Sequence, residues 1–254
     1  MRKKNSQYLK EPHGNRYVWR YMSSTKFEKL LAESALYFCN AKRLTDQYEV
    51  TIPDSTVASW RKELLNQGYG AKEAENEIQI RLHSWQSNGQ RDLTLINCWA
   101  MRKDESYALW KIYLGGSTDG VAVRTRYAGL KQAIANGPVD FVEDYYAGLV
   151  RYRNHLSPEE AQNRFNVVTT KKTFYDFEHE ARLFILNYPM SEGGYETPYD
   201  ISQGRLVSVH LPTLLSDVFV SPFASAEFRR ELPRMLKRHR LGAVSIRDSE
   251  ILDS

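Results

Sequence analysis

Apolar residues recur along the chain at two spacings, one typical of helices and one typical of strands. Phe27, Leu30 and Leu31 fall on one face of a predicted helix over Lys26–Ser34. Asp54 or Ser55 is predicted to open a polar helix, and Asp104 is predicted to cap another one. Including these two, the pattern predicts six helices after the first one. They cover residues 54–66, 71–86, 104–114, 127–135, 157–167 and 224–238.

Short β-prone runs separate the predicted helices. They predict strands over residues 16–21, 36–39, 93–101, 120–125, 140–152, 182–187, 206–211, 217–220 and 243–247, with a loop at 191–204. Strands and helices follow one another without a strict βαβ order, which favours an α+β fold with a mixed, mainly antiparallel sheet flanked by helices. No linker divides the chain, so we expect a single domain over residues 1–254 with a helical insertion at about 55–87.

Composition narrows the class of protein. The mean hydropathy of -0.56 and the lack of an apolar run near about 18 residues predict no membrane span. The basic start of the chain is not followed by an apolar segment, so we expect no secretory signal. Two cysteines, Cys39 and Cys98, are too few for a disulfide scaffold, and the expected location is a reducing cytoplasm. The chain is rich in aromatic residues, which indicates a site for a flat or phosphorylated ligand.

Familiar catalytic and metal-binding motifs are missing from the sequence. There is no phosphate-binding glycine loop and no G-x-S-x-G motif. The six histidines do not lie at metal-ligand spacing from one another or from a cysteine, so no metal site is predicted.

The strongest local signal is the segment YDFEHEAR at residues 175–182. In a strand, Glu178, Glu180 and Arg182 would lie on one face, with neighbours about 6–7 Å apart. Such a face is either a solvated edge with a Glu–Arg ion pair or a carboxylate pair for acid–base chemistry and for stabilising positive charge on a sugar.

Two further groups of residues have alternative interpretations. Arg20, between Trp19 and Tyr21, either clamps a phosphate beside a stacked ring or lies at the edge of an aromatic core. The last predicted helix either binds nucleic acid or presents a solvated basic face, through Arg229, Arg230, Arg234, Lys237 and Arg238.

Four blocks of the sequence together resemble a bacterial family called domain of unknown function 2971. The blocks are YVWRY at 17–21 with LYFCNAKRLTDQYE at 36–49, the segment 98–123 with CWA, Trp110, Tyr113 and GVAV, the segment from Lys171 or Lys172 to Arg182, and VSIRDSEIL at 244–252. In the family's N-D-P-x-E motif this chain keeps only Asp46 and Glu49. The resemblance spans nearly the whole chain.

The order of these blocks is also similar to an ADP-ribosyltransferase layout, in which an early Arg, an aromatic strand and a late E-x-E act on NAD. The resemblance implies catalytic roles for Glu180 and Glu178. It implies NAD-binding roles for Arg20, Tyr37, Phe38, Trp110 and Tyr175. The implied protein cleaves NAD and transfers ADP-ribose to a protein or nucleic-acid acceptor, as a bacterial toxin or a phage-defence effector.

Two alternatives to this enzyme stay open at the level of the sequence. One is a nucleic-acid-binding or nuclease-type protein, in which Asp46, Glu49 and the Glu178–Glu180 pair would hold a metal ion. The other is a non-catalytic partner module in which the late E-x-E-x-R segment is an ion-pair network. The enzyme hypothesis expects Arg20, Tyr37 and Glu180 to share one cleft.

Overall fold

The computed structural model describes residues 2–3, 7–87, 91–137, 144–186 and 201–252. In these ranges it has strands β1 (Arg2–Lys3), β2 (Tyr17–Ser23), β3 (Ala35–Asn40), β4 (Thr94–Ala100), β5 (Gly120–Arg126), β6 (Asp144–Leu149), β7 (Arg151–Tyr152), β8 (Thr170–Lys171), β9 (Glu180–Leu186), β10 (Gly204–Ser208), β11 (Asp217–Val220) and β12 (Ser245–Asp248).

Helices alternate irregularly with these strands. They are α1 (Ser24–Glu33), α2 (Asp54–Asn66), α3 (Ala71–Ser87), α4 (Tyr107–Leu114), α5 (Tyr127–Ala135), α6 (Pro158–Ala161), α7 (Arg164–Val168), α8 (Leu211–Leu214) and α9 (Ala226–Arg238). Short 3-10 helices cover Ala41–Arg43, Thr173–Glu178 and Glu250–Leu252.

The large sheet is mixed and mostly antiparallel, and the predicted α+β fold class is confirmed. Its strands run in the order β1-β6-β9-β4-β2-β5-β11-β12, while β3 pairs with β4 and with β10. The β1–β6 and β11–β12 pairs are parallel, and the other pairs of this sheet are antiparallel. A separate parallel pair joins β7 to β8.

The path of β4 divides the sheet at one point. One edge of β4 pairs with β9 along its whole length, from Thr94 opposite Leu186 to Ala100 opposite Glu180. The other edge pairs first with β3, through Leu95 and Ile96, and then with β2, through Ala100. Residues 97–99 therefore lie where β2 and β3 diverge, and we call this point the strand fork.

Side chains of β2 alternate between two hydrophobic cores, as the period of a strand requires. Val18 and Met22 belong to the main core, which also holds Phe27, Leu30 and Leu31 of α1, as the sequence predicted. Trp19 and Tyr21 belong to a second core on α4. The sheet is thus covered by apolar side chains on both faces at β2.

Helices α2 and α3 pack away from the main core, in a small cluster of their own. This cluster contains Trp60 and Leu64 of α2 and Ile78 of α3. Leu156 and Val167 also belong to it. The predicted helix over 54–66 is confirmed, and that over 71–86 extends to Ser87. These helices lie in the segment predicted as an insertion; the assignment of one domain stays a prediction.

Apart from shifts of one or two residues at their ends, four predicted elements differ from the structure. The strand expected over 206–211 is β10 (Gly204–Ser208), and position 211 begins helix α8 (Leu211–Leu214). The helix expected over 157–167 is two short helices, because the Asn163 side chain accepts a bond from Phe165 N and starts a new helix. Ser106, not Asp104, caps α4. The strand expected over 140–152 is split into β6 and β7, with residues 138–143 outside the described ranges.

Two further predictions concern the loop at 191–204 and membrane-spanning helices. The loop predicted at 191–204 lies outside the described residues up to position 200, and Gly204 begins β10. None of the helices in the described ranges combines the length and the apolar composition that crossing a membrane requires.

Gly120 marks a close approach of β2, β5 and α4, and it generates the first prediction. A Cβ at this position would collide with the backbone carbonyl of Met22 and with the side chain of Leu114. We expect Gly120→Ala to lower the free energy of unfolding by about 1–3 kcal/mol, measured by urea unfolding. Gly242→Ala is the control, because open space surrounds that position. Equal unfolding midpoints for the two variants would contradict this packing.

Candidate functional site

Five charged side chains meet beneath one face of the sheet, and we call them the charge cluster. They come from the loop after β3, from β8, from the end of the 3-10 helix Thr173–Glu178, and from the start of β9. They are Glu49, Lys171, Glu178, Glu180 and Arg182. All five are buried. Charged side chains are rarely buried unless they are paired, so this cluster is the unusual feature of the interior.

The local sequence explains why three of the five meet. Glu180 and Arg182 are two residues apart on β9, so both project from the same face, as the sequence predicted. Glu178 ends the 3-10 turn before the strand, and His179 has a positive φ of 45° between the two segments. The tyrosine hydroxyl of Tyr152 accepts a bond from the backbone N–H of Glu180 at 2.7 Å and fixes the start of β9.

Arg182 is the centre of the cluster. Its Nε and Nη2 donate to the two carboxylate oxygens of Glu180 at 2.7 and 3.0 Å. Nη2 also donates to Glu49 at 2.6 Å, and Nη1 donates to the backbone carbonyl of Val168 at 2.6 Å. The guanidinium thereby joins β9 to two distant segments through charge-assisted bonds, which are the strong kind.

Lys171 is the second cation and contacts all three carboxylates. Its Nζ lies 2.7 Å from Glu178, 2.9 Å from Glu49 and 3.7 Å from Glu180. The same ammonium lies 4.6 Å from the ring centroid of Tyr175. Three carboxylates thus share two cations in a space from which water is largely excluded.

The two glutamates of the E-x-E segment have opposite electrostatics. Burial alone would raise the pKa of Glu180, but Arg182 and Lys171 hold it well below its usual range. Burial raises the pKa of Glu178, and Lys171 opposes this only in part. Glu180 is therefore a fixed negative charge, whereas Glu178 takes up a proton more readily than an ordinary glutamate. Carboxylates whose pKa values are pushed apart in this way suit separate roles in acid–base chemistry.

Arg20 reaches the strand fork from β2. Its Nη1 donates to the backbone carbonyl of Cys98 at 2.8 Å, and its guanidinium carbon lies 5.9 Å from the ring centroid of Trp99. Burial lowers its pKa, while the charges of neighbouring groups, including Glu180, oppose that shift. The residue as a whole is only partly buried.

Cys98 connects Arg20 to the charge cluster. It lies opposite Arg182 in the β4–β9 register, and Arg182 in turn holds Glu180. Burial and the charge of Glu180 raise the pKa of the Cys98 thiol well above its usual value. Cys98 therefore lies between Arg20, which binds its carbonyl, and the residue that pairs with Glu180.

Tyr113 of α4 lies near both groups. Burial and the charge of Glu178 raise the pKa of Tyr113, with further effects from Cys98 and Glu180. The residue as a whole is nevertheless 36% exposed. A partly exposed tyrosine near buried carboxylates is a candidate for contact with a ligand.

A pocket of about 220 Å³ opens next to the charge cluster. Glu49 and Lys171 belong both to the cluster and to the pocket wall, which is completed by Asp46, Tyr48, Thr51, Pro53, Asp54, Ser55, Arg153, Asn154, Thr170 and Lys172. This volume admits a single ring-sized group rather than a large cofactor.

The structure distributes the predicted NAD-binding residues over different environments. Tyr37 is 43% exposed, its hydroxyl donates to the Gln203 carbonyl, and its own carbonyl accepts a bond from Asn97 at the strand fork. Phe38 is fully buried in the main core. Trp110 is fully buried in the core of α4, where it packs edge-on against Tyr21.

Tyr175, Glu178 and Glu180 are brought together, because all three lie near the Lys171 ammonium. Arg20 contacts the carbonyl of Cys98, which lies opposite Arg182. The rings of Phe38 and Trp110 are buried in the two cores. The roles assigned to these residues in NAD binding stay predictions.

Much of the basic face of α9 is already neutralised by contacts within the chain. Arg229 pairs with Asp248, and both Arg234 and Arg238 pair with Glu231. Within the described residues, no group of three or more His, Cys, Asp or Glu side chains is arranged to hold a metal ion. Binding of nucleic acid by α9 stays a prediction.

Comparisons with protein-family models, with curated proteins and with solved structures gave no match for this chain. The resemblance to the domain of unknown function 2971 and to an ADP-ribosyltransferase layout therefore stays a prediction. Function is therefore inferred from the geometry of the charge cluster, the strand fork and the pocket.

Sequence reasoning assigned no role at the proposed site to Lys171, Tyr113 or Cys98. Each had a signal, since all three fall inside the blocks that carry the family resemblance. Glu49 was named only as a metal ligand, whereas the structure pairs it with Lys171 and Arg182. These contacts join segments that are remote in sequence, so local periodicity does not reveal them.

Arg182 generates the second prediction. Removing one partner of a buried ion cluster leaves uncompensated charge, so Arg182→Met is expected to lower the free energy of unfolding by about 3–5 kcal/mol. The control is Arg238→Met, which breaks a half-exposed pair with Glu231 and should cost less than about 1 kcal/mol. Urea unfolding at neutral pH measures both. Similar losses for the two variants would show that Arg182 is not the centre of the cluster.

Proposed function

We propose that the protein is an ADP-ribosyltransferase-like enzyme, which cleaves NAD and passes ADP-ribose to an acceptor. The observation that carries the proposal is that Arg20 donates to the carbonyl of Cys98 and that Cys98 lies opposite Arg182, the partner of Glu180. A phosphate-binding cation and a fixed carboxylate thus adjoin the same stretch of β4, although they are far apart in the sequence. The family resemblance implied this pair, and the geometry supports it.

Glu180 is suited to the bond-breaking step. When the bond between C1′ of the ribose and the nicotinamide nitrogen breaks, the electron pair leaves with neutral nicotinamide, and positive charge develops on the sugar. A carboxylate that stays ionised and is held by Arg182 stabilises that charge without having to reorganise. The bidentate pair with Arg182 fixes the direction of the carboxylate.

Glu178 is suited to the bond-forming step. The acceptor's oxygen or nitrogen attacks C1′, and its proton must be taken up by a base. The raised pKa of Glu178 makes its carboxylate a better base than an ordinary glutamate, and Lys171 lies 2.7 Å away to keep it in place. After the step, ADP-ribose is bound to the acceptor and Glu178 carries the proton.

Arg20, Tyr113 and Tyr175 are suited to holding the dinucleotide. The planar fork of donors on the Arg20 guanidinium matches the oxygens of a pyrophosphate. Tyr113 and Tyr175, which lie beside the charge cluster, offer ring faces to nicotinamide or adenine. In this proposal the fully buried Phe38 and Trp110 support the site from the cores, and Tyr37 lies at its edge.

The proposal includes the cytoplasm as the compartment and a role as a toxin or phage-defence effector. Cys39 and Cys98 are both free thiols, which is consistent with a reducing environment. The biological role depends on the acceptor.

The third prediction tests the bond-breaking step. Purified protein incubated with NAD is expected to release nicotinamide, measured by chromatography. We expect Glu180→Gln to reduce that rate by about 10²-fold or more, because the neutral amide no longer stabilises the sugar cation. Glu28→Gln, on an exposed face of α1, is the matched control and should keep the wild-type rate.

Two results would overturn this assignment. One is the absence of nicotinamide release from the wild-type protein with NAD and candidate acceptors. The other is equal release by the wild-type protein and Glu180→Gln when circular dichroism shows both to be folded.

The fourth prediction concerns pH. Because the pKa of Glu178 is raised, its basic form is gained only as the pH rises through a value above that of an ordinary glutamate. Transfer to an acceptor is therefore expected to rise with pH over that interval, while Glu180 stays ionised throughout. In Glu178→Gln this acidic limb should disappear and the rate should be low. An unchanged limb in that variant would assign the base to another group.

A further inference from the structure

Two large aromatic side chains are exposed beside Lys172, which lines the pocket. Tyr48 is 60% exposed and Phe174 is 63% exposed. The ammonium of Lys172 lies 3.6 Å from the ring centroid of Tyr48 and 5.8 Å from that of Phe174. Exposing such rings forgoes the free energy that burial would give, so this grouping calls for a binding partner.

Both rings stand on short segments held by hydrogen bonds. The backbone N–H of Tyr48 donates to the Asp46 carboxylate at 2.9 Å, and its carbonyl accepts from the Thr51 hydroxyl at 2.6 Å. Phe174 lies in the 3-10 turn before β9, where the hydroxyl of Thr173 accepts a bond from the Asn154 amide at 3.0 Å. The rings are therefore presented in a fixed arrangement.

The acidic groups of the pocket are largely compensated. Glu49 pairs with Lys171 and Arg182. Asp46 accepts the N–H of Tyr48, and Asp54 lies in the first turn of α2, where a negative charge is favourable.

Cations and unsatisfied donors remain on the same wall. Within the described residues, Lys172 contacts aromatic rings but forms no ion pair. Arg153 uses Nη1 for Glu160 at 2.9 Å, while its buried Nε and Nη2 have no partner in the described part of the chain. The buried hydroxyl of Thr170 is likewise unsatisfied there. Buried donors without partners are costly, so a ligand that supplies oxygens would be favoured here.

We propose that this surface binds single-stranded nucleic acid. Bases stack on Tyr48 and Phe174, and the phosphates between them meet Lys172 and Arg153. Rings and cations placed together in this way are what a strand with unpaired bases requires, since every base has a face for stacking and every linkage carries a negative charge. In a duplex the base faces are already covered, which makes it a poor ligand for these rings.

The shared wall gives the bound strand a role in the chemistry. Lys171 lines the pocket and lies 2.7 Å from Glu178, so a nucleobase or sugar of the strand seated in the pocket is separated from the proposed base by one side chain. The strand is then the acceptor of ADP-ribose, a step that rests on the proposed function, whereas binding of the strand does not. The attacking oxygen or nitrogen of the strand bonds to C1′, nicotinamide leaves with its electron pair, and Glu178 takes the proton.

The fifth prediction is tested by binding alone. The probes are labelled single strands of about 12 nucleotides, one DNA and one RNA of mixed sequence, and binding is followed by fluorescence anisotropy in the absence of NAD. We expect Tyr48→Ala and Phe174→Ala each to weaken binding by about tenfold or more. Lys172→Gln is expected to weaken binding and to reduce its dependence on salt between about 50 and 200 mM.

The matched control is Tyr107→Ala. Tyr107 is exposed on α4 and also contacts a lysine, Lys111, whose ammonium lies 5.5 Å from the ring centroid, but it does not line the pocket. Its strand affinity should equal that of the wild-type protein. Because Tyr48, Phe174 and Tyr107 are all exposed, the variants are expected to keep the wild-type unfolding midpoint, which serves as a check on folding.

Several outcomes would overturn the proposal. They are no binding of either strand, equal losses in Tyr48→Ala and Tyr107→Ala, tighter binding of a duplex of the same sequence, or equal binding of polyglutamate or of adenosine monophosphate. Nicotinamide release without strand binding would refute this inference and leave the proposed function intact. Strand binding that depends on Tyr48, in a protein that does not cleave NAD, would support the surface and refute the enzyme.

Discussion

The buried guanidinium of Arg182 is the constraint from which the rest of the site follows. Moving an ion from water into a protein interior costs several kcal/mol even after relaxation, so the charge must be compensated where it lies. Arg182 is compensated by both oxygens of Glu180, by Glu49 and by the carbonyl of Val168. These contacts tie β9 to the loop after β3 and to the end of α7. The other features of the cluster are arranged around these bonds: the orientation of Glu49 and Glu180, the position of Lys171 and the separate behaviour of Glu178.

This compensation places two kinds of surface next to each other. On one side, Arg182, which holds Glu180, lies opposite Cys98, and the Cys98 carbonyl accepts a bond from Arg20 at the strand fork. On the other side, Glu49 and Lys171 form part of the pocket whose mouth carries Tyr48 and Lys172. A transfer reaction needs a donor and an acceptor on either side of the same catalytic groups. The charge cluster is the element that both surfaces share.

The sequence predicted the parts of this arrangement that depend on local periodicity. The common face of Glu180 and Arg182 follows from the two-residue repeat of a strand, and α1 and α5 follow from helical spacing. The rest depends on contacts between remote segments. No local pattern shows that β4 changes partners from β3 to β2, which is what brings Arg20 to Cys98 rather than to the Tyr37–Phe38 strand. The pairing of Glu49 and Lys171 with the E-x-E segment has the same origin. Asn163 divided a predicted helix because a side-chain cap competes with helix propagation, and apolar spacing does not register such a cap.

The cluster is better explained by chemistry than by stability. Replacing a buried ion group by apolar side chains of similar volume is often neutral or stabilising, so a fold selected for stability alone has no need of five buried charges. The same chain leaves Tyr48 and Phe174 in solvent, although burial of either ring would be favourable. The five charged side chains are thus buried, and the two aromatic rings near them are exposed to solvent. This is the reverse of the usual distribution of charged and aromatic side chains. Departures of this kind from the hydrophobic rule, concentrated in one region, are typical of functional sites. The free energy that the fold forgoes at this one place is therefore a physical reason to regard Glu178, Glu180 and their surroundings as the candidate site.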